Sequence, residues 1–139
     1  MPASDSSPVM KGLTTVPSGF GPKQTMDRLE GEIRTNVMEV FARINHAAGA
    51  AKVGLTLAAT ELIIFGNARG GTPLMESVQT VGIDLPLKAL VWQDAANKTW
   101  LSYNEPGWIA RRHGIADKGG VVGKMSEMLG LITKKAANP

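Results

Sequence analysis

The run Leu62-Ile63-Ile64-Phe65 is the feature that most constrains the fold, because four consecutive apolar residues leave no polar face. A strand points successive side chains to opposite faces, so both faces of a strand with this composition must be covered. Residues 60–65 are therefore predicted to form a strand in the middle of a sheet.

Other segments predict the partners of this strand. Short stretches rich in β-branched and aromatic residues predict strands over residues 11–16, 37–44, 87–94 and 99–104. The last two flank a short polar turn and are expected to form a hairpin. One sheet of mainly antiparallel strands follows, which together with the helices gives an α+β domain.

Helices are predicted from apolar periodicity and capping residues. The first begins at Pro22, with Asn36 in a left-handed cap, and Asn45 caps a short helix over 46–52. Thr72-Pro73 begins another helix after a glycine-rich loop over 66–71. Pro106 starts a further short helix, and an amphipathic helix over 120–136 ends the domain. The domain is predicted to span residues 11–139 after a flexible leader over residues 1–10.

Composition excludes several kinds of chemistry. The 139 residues include no cysteine and two histidines, which rules out disulfides, thiolate sites and a three-histidine metal site within one chain. No metal or cofactor is predicted. Residues 106–139 hold six Lys+Arg against two Asp+Glu, so the net charge of +3 comes from this part. A solvated helix surface explains that excess better than nucleic-acid binding, which is kept as an alternative.

The compartment is left open by the sequence. No apolar stretch is long enough to span a bilayer, and the first residues lack the pattern of a secretory signal. The protein is expected to be cytoplasmic, or exported with its signal peptide already removed.

Four blocks of sequence resemble the domain-of-unknown-function family numbered 302. They cover residues 41–50, 60–75, 82–94 and 100–115, and two of them read TELIIFGNARGGTPLM and WLSYNEPGWIARRHGI. The resemblance implies a fold similar to the TATA-binding-protein-like class, a curved antiparallel sheet with helices on one side. It implies no activity. The family pattern has Asp before the histidine, whereas this chain has Asn45-His46, which can cap a helix but supplies no carboxylate.

One candidate ligand site combines the glycine-rich loop with nearby basic residues. Loop amides before a helix can cradle an anion, and a histidine can bind or transfer a proton. The candidate residues are Arg43, His46, Arg69, Gly70, Gly71 and Thr72. A plain turn and a structural histidine are the simpler interpretations, and His113 is expected at the surface. No catalytic set of residues is identified.

A candidate interface lies on the sheet, because helices are expected on one side only and aromatic residues are common at interfaces. Its residues are Trp100, Tyr103 and Trp108, with Trp100 and Tyr103 on opposite faces. The leading hypothesis is a non-catalytic homodimeric domain that binds a small, anionic ligand or a protein partner. The first alternative is an enzyme that uses the glycine-rich loop with His46, and the second is nucleic-acid binding.

Overall fold

A single antiparallel sheet organises the protein, whose computed structural model describes residues 9–139. The sheet order is β1-β5-β4-β3-β2. The strands are β1 (Leu13–Pro17), β2 (Glu39–Asn45), β3 (Thr60–Gly66), β4 (Leu87–Gln93) and β5 (Thr99–Asn104). The apolar strand β3 is paired on both sides, as its sequence predicts, and β4 and β5 form the expected hairpin.

Five α-helices accompany the sheet in the described part of the chain. They are α1 (Pro22–Thr35), α2 (His46–Lys52), α3 (Ala68–Ser77), α4 (Pro106–Arg112) and α5 (Gly119–Ala137), with a 3₁₀ helix (Gln79–Ile83) after α3. The two longest, α1 and α5, lie against each other and cover one face of the sheet. This arrangement confirms the predicted α+β class with helices packed on one side of an antiparallel sheet.

The core lies between this helical layer and the inner face of the sheet. Alternate residues of the three central strands point inward, and the register pairs Ile63 with Ala89 and Phe65 with Leu87. Each of these four side chains is buried. The helices contribute buried apolar side chains at helical spacing, namely Met26, Leu29 and Ile33 from α1 and Leu129, Ile132 and Ala136 from α5.

The end of α1 differs from the sequence prediction. Asn36 is not left-handed, with φ −89°, and the left-handed residue is Val37 at φ +58°. The amide of Asn36 instead donates to the carbonyl of Glu32, while the Met38 amide bonds to the Ile33 carbonyl. These bonds place the turn one residue later, so that β2 begins at Glu39 and not at Val37.

The start of α3 also differs. The predicted loop over 66–71 and the cap at Thr72 are wrong, because Asn67 caps the helix and Ala68 begins it. The side-chain oxygen of Asn67 accepts from the Gly70 amide at 2.7 Å. Gly70 and Gly71 therefore belong to the first turns of a helix, where glycine is an unusual choice.

The ends of the chain are partly described. Residues 1–8 of the predicted leader lie outside the described residues, while Val9 and Met10 are exposed. At the other end, α5 runs from Gly119 to Ala137 and so includes the predicted helix over 120–136.

Candidate functional site

An apolar cavity of about 260 Å³ lies where α3 and α5 meet one end of the sheet. It is lined by Met38, Phe41, Gly66, Asn67, Ala68, Gly70, Gly71, Thr72, Met75, Leu85, Pro86, Leu87, Met125 and Met128. Phe41 is 50% exposed and Asn67 and Ala68 are exposed, so the cavity opens to the surface. Its volume exceeds the roughly 150 Å³ of an engineered apolar cavity that binds benzene.

Four methionines from three separate segments of the chain contribute to this lining. Met38 precedes β2, Met75 lies in α3, and Met125 and Met128 lie one turn apart on α5. Methionine is unbranched and polarisable, so it adapts to irregular shapes and makes favourable contacts with aromatic rings. A wall built from four methionines suits an apolar ligand whose shape need not be matched rigidly.

The turn between β3 and α3 shapes the mouth of the cavity. Gly66 adopts φ +153°, a backbone conformation that residues with a Cβ avoid. Asn67 then precedes α3, and its side-chain oxygen accepts a hydrogen bond from the Gly70 amide. Gly70 and Gly71 carry no side chains that would fill the space beside Met125 and Met75. The two glycines thus keep the cavity open.

Arg43 lies outside this cavity lining and is already engaged. Its guanidinium donates to Glu61 at 2.9 and 3.0 Å and, through Nη1, to Asp27 and Glu30 at 3.0 Å each. These partners raise its pKa, and the hydrogen bond with Glu61 is the largest cause. Arg43 thereby joins β2, β3 and α1, and its donors are used within the chain.

His46 is exposed at the first position of α2, where Asn45 caps the helix through the Ala48 amide at 2.9 Å. Asn45 pairs with Glu61, whereas Gly66 pairs with Glu39 at the other end of the same ladder. Glu61 and Gly66 are five residue steps apart along β3, or about 17 Å at strand spacing. The structure therefore does not bring His46 together with the glycine-rich turn.

The remaining candidate ligand residues lie together in α3. Gly70, Gly71 and Thr72 line the cavity, and Arg69 is exposed beside them. With an apolar wall opposite, this turn faces an environment that does not favour an anion, because burying a charge without a partner is costly.

The candidate interface aromatics are largely used inside one chain. Trp100 is 1% exposed, stacks on Trp92 and donates from its indole nitrogen to Asp94 at 2.9 Å. Tyr103 is buried in the main core, on the opposite face of β5 from Trp100. Trp108 is half-buried against Gly12, where an added Cβ would overlap the indole ring. Trp100 and Tyr103 thus offer almost no surface to a partner.

A polar cluster joins the 3₁₀ helix to the end of α4. His113 Nε2 donates to Asp84 at 2.6 Å, and its Nδ1 lies 2.9 Å from the Thr80 hydroxyl. Arg112 Nη1 donates to both carboxylate oxygens of the same Asp84, at 2.8 Å each. The His113 side chain is 8% exposed, so the expected surface position is wrong. Because Arg112 forms an ion pair with the carboxylate of Asp84, we interpret the cluster as a structural link between the 3₁₀ helix and α4.

Asp84→Ala is expected to lower the free energy of unfolding by about 1–2 kcal/mol, because it leaves His113 and Arg112 without their acceptor. Burial would raise the pKa of Asp84, but the His113 hydrogen bond and the Arg112 charge together lower it. A lowered pKa stabilises the fold above the unfolded-state value and loses that effect as the pH falls. Urea unfolding of wild type and Asp84→Ala at pH 7 and near pH 3 should show that the difference in their free energies of unfolding becomes smaller in acid. An equal difference at the two pH values would contradict the ionised carboxylate of Asp84 as the source of the stabilisation.

The sequence holds little signal for the cavity. Its lining comes from four separate segments, and each methionine is compatible with ordinary core packing. The local signal was the glycine pair after Asn67, which predicts a ligand loop through its backbone amides and does not reveal the space that the missing side chains leave.

Other kinds of site find no support in the part of the chain that the structure describes. No group of three or more His, Cys, Asp or Glu side chains there is placed to hold a metal ion. Within residues 9–139, no helix combines the length and apolar character needed to cross a membrane.

The fold and cavity define a small α+β domain with one antiparallel sheet, a helical layer on one face and an apolar pocket at the sheet end. The chain belongs to the family described as domain of unknown function DUF302, whose model matches residues 14–132. A solved relative has the same fold: an uncharacterized conserved DUF302 protein from Bacillus stearothermophilus, with a TM-score of 0.82 and 16% identity. That match covers 91% of this chain and 99% of the other.

Curated relatives with higher identity are longer proteins. The chain is 43% identical over 133 residues to a protein of Brucella suis biovar 1 named fluoride-specific ion channel FluC 1, covering 95% of this chain and 52% of that protein. A protein of the same name from Brucella abortus biovar 1 is also 43% identical, and the match covers 95% of this chain and 49% of that protein. The chain therefore spans about half the length of these relatives, and the channel activity in their name describes the whole proteins.

Proposed function

We propose that this domain is a non-catalytic binding module that takes one small, uncharged apolar molecule into the methionine-lined cavity. The observation that carries the proposal is the lining itself, in which four methionines, Phe41, Leu85 and Leu87 surround an open space kept free by Gly70 and Gly71. Mostly apolar walls with a few polar groups at the rim are typical of small-molecule sites.

The volume limits the ligand. A cavity of about 260 Å³ is at the small end of ligand pockets and suits a molecule of one or two rings or a short alkyl chain. Burial in an apolar site favours an uncharged ligand, since an anion would lose its hydration without a charged partner. This chemistry differs from the anionic ligand that the glycine-rich sequence suggests.

The experiment is a titration followed through methyl-labelled methionine in NMR spectra. Toluene is expected to shift the methyl signals of Met38, Met75, Met125 and Met128, with a Kd on the order of 0.1 mM. Met26, which is buried in the main core and is not among the residues that line the cavity, serves as the internal control, and its signal should not move.

Two further titrations separate the proposal from its alternatives. Sodium octanoate tests an anionic ligand, and sodium fluoride tests the anion in the relatives' name; both are expected to leave the four signals unchanged at concentrations that toluene saturates. Shifts with fluoride or octanoate but not toluene would overturn the apolar site, as would toluene shifts spread equally over Met26.

A further inference from the structure

The helix α2 stands apart from the other helices of the described chain because it buries none of its side chains. It has seven residues, HAAGAAK, and a helix this short is marginal in water without tertiary packing. Each of the other α-helices in residues 9–139 buries at least one side chain. The segment containing α2 thus lacks the contacts that normally stabilise a short helix.

The residues after α2 are apolar and exposed. Val53, Leu55 and Leu57 are 72%, 65% and 47% exposed. Within residues 44–59 the titratable side chains are His46 and Lys52, and none is acidic. Contiguous exposed apolar surface of this kind marks an interaction site on a soluble domain.

This surface continues onto the uncovered face of the sheet. Ile44, which is 40% exposed, pairs with Leu62, and Leu62 pairs with Leu90, so the three form an apolar row across β2, β3 and β4. We call residues 44–59 together with Leu62 and Leu90 the α2 patch. It holds nearly 20 residues, close to the number that one partner contributes to a standard interface.

The geometry favours packing of faces over addition of a strand. β2 is an edge strand, but its ladder is interrupted by a bulge between Val40 and Ala42. A bulge bends and twists the edge, which disfavours pairing with a further strand.

We infer that the α2 patch is covered by a second copy of this chain in a two-fold homodimer. In a two-fold interface each patch meets itself, so an apolar surface without acidic groups needs no opposite charge on its partner. A membrane-binding helix carries several Lys or Arg on its polar face, whereas α2 carries Lys52 alone. The proposed dimer surface thus differs from the one predicted from Trp100, Tyr103 and Trp108, and it shares no residue with the lining of the methionine-lined cavity.

The test is the solution mass of wild type and two variants by light scattering, from about 1 µM to about 1 mM. Wild type should reach twice the 14.7 kDa chain mass. Leu55→Asp should raise the dimer dissociation constant about tenfold or more, because it buries a charge against its own copy. Ile83→Asp is the matched control, since Ile83 is 74% exposed but lies outside the patch; it should remain dimeric.

Each other outcome overturns the dimer or its location. Wild type that stays monomeric at the highest concentration removes the dimer. A Leu55→Asp protein that dimerises like wild type, or an Ile83→Asp protein that becomes monomeric, places the interface elsewhere. Co-sedimentation of monomeric wild type with anionic lipid vesicles identifies a membrane as the occupant. Circular dichroism checks folding, and Leu55→Gln, expected to weaken the dimer less, replaces Leu55→Asp if that variant unfolds.

Discussion

Replacing Arg43 by methionine is expected to lower the free energy of unfolding by about 2 kcal/mol at pH 7. Methionine keeps much of the side-chain length but leaves Asp27, Glu30 and Glu61 without their shared cation. Removing one partner of a fully buried ion pair costs about 3–5 kcal/mol. The effect here is smaller because Arg43 is 28% exposed and Asp27 is 47% exposed, so water screens the remaining charges.

The same substitution should cost little in acid. The pKa of Asp27 is lowered by a hydrogen bond from Lys23 and, to a smaller extent, by one from Arg43. The pKa of Glu30 is lowered in the same way by Arg34 and, to a smaller extent, by Arg43. Lowered pKa values stabilise the fold above the ordinary values of 3.8 and 4.5, and that stability is lost as the pH falls below them. The difference in the free energy of unfolding between wild type and Arg43→Met should thus have its full size at pH 7. It should disappear as the pH falls toward 3.

Arg34→Met is the matched control, because Arg34 donates to the same Glu30 but is 59% exposed and lies on the same helix. It should cost about 0.3–0.5 kcal/mol, as exposed pairs at this spacing do. Chemical unfolding of the three proteins across the pH range measures both effects. Equal losses in the two variants would mean that Arg43 is an ordinary surface residue and does not join the strands to α1.

The sequence predicted the sheet and helices well where local signals and burial agree. β5 has its predicted bounds, α1 begins at Pro22, and Asn45 caps α2. Each of these depends on alternation or on one capping residue, which a sequence displays directly.

The predictions failed where two local signals competed. Asn67 and Thr72 are both residues that cap helices, and the two glycines between them favoured the later start. In the structure the Asn67 side chain reaches the Gly70 amide, and the helix tolerates Pro73 inside it. The choice follows from the end of β3 and the sharp turn at Gly66, neither of which is visible in local sequence preference.

The candidate site could be predicted only in part for a related reason. The glycine pair was found because it is local, but its methionine neighbours come from distant segments. Arg43 and His46 are near each other in sequence and were grouped with the glycine-rich segment, yet the ladder places that segment at the opposite end of β2 from His46. Register depends on pairing between strands, which sequence spacing does not specify.

Gly71→Leu is expected to weaken toluene binding by about tenfold or more while making the protein more stable. A Cβ at this position would stand 3.6 Å from the methyl of Met75 and 3.7 Å from Leu85, so it fits, and the rest of a leucine side chain would occupy the cavity. Leucine also favours a helix over glycine by about 0.8 kcal/mol, which should raise the melting temperature.

Gly31→Leu separates these two effects. Gly31 lies inside α1 with nothing within 4 Å of its Cβ position, so leucine there gains helix propensity without entering the cavity. Both variants should therefore melt at higher temperature than wild type, and only Gly71→Leu should lose the toluene-induced shifts of the four cavity methionines. If Gly71→Leu binds toluene as wild type does, the ligand lies elsewhere and the methionine-lined cavity is only a packing defect.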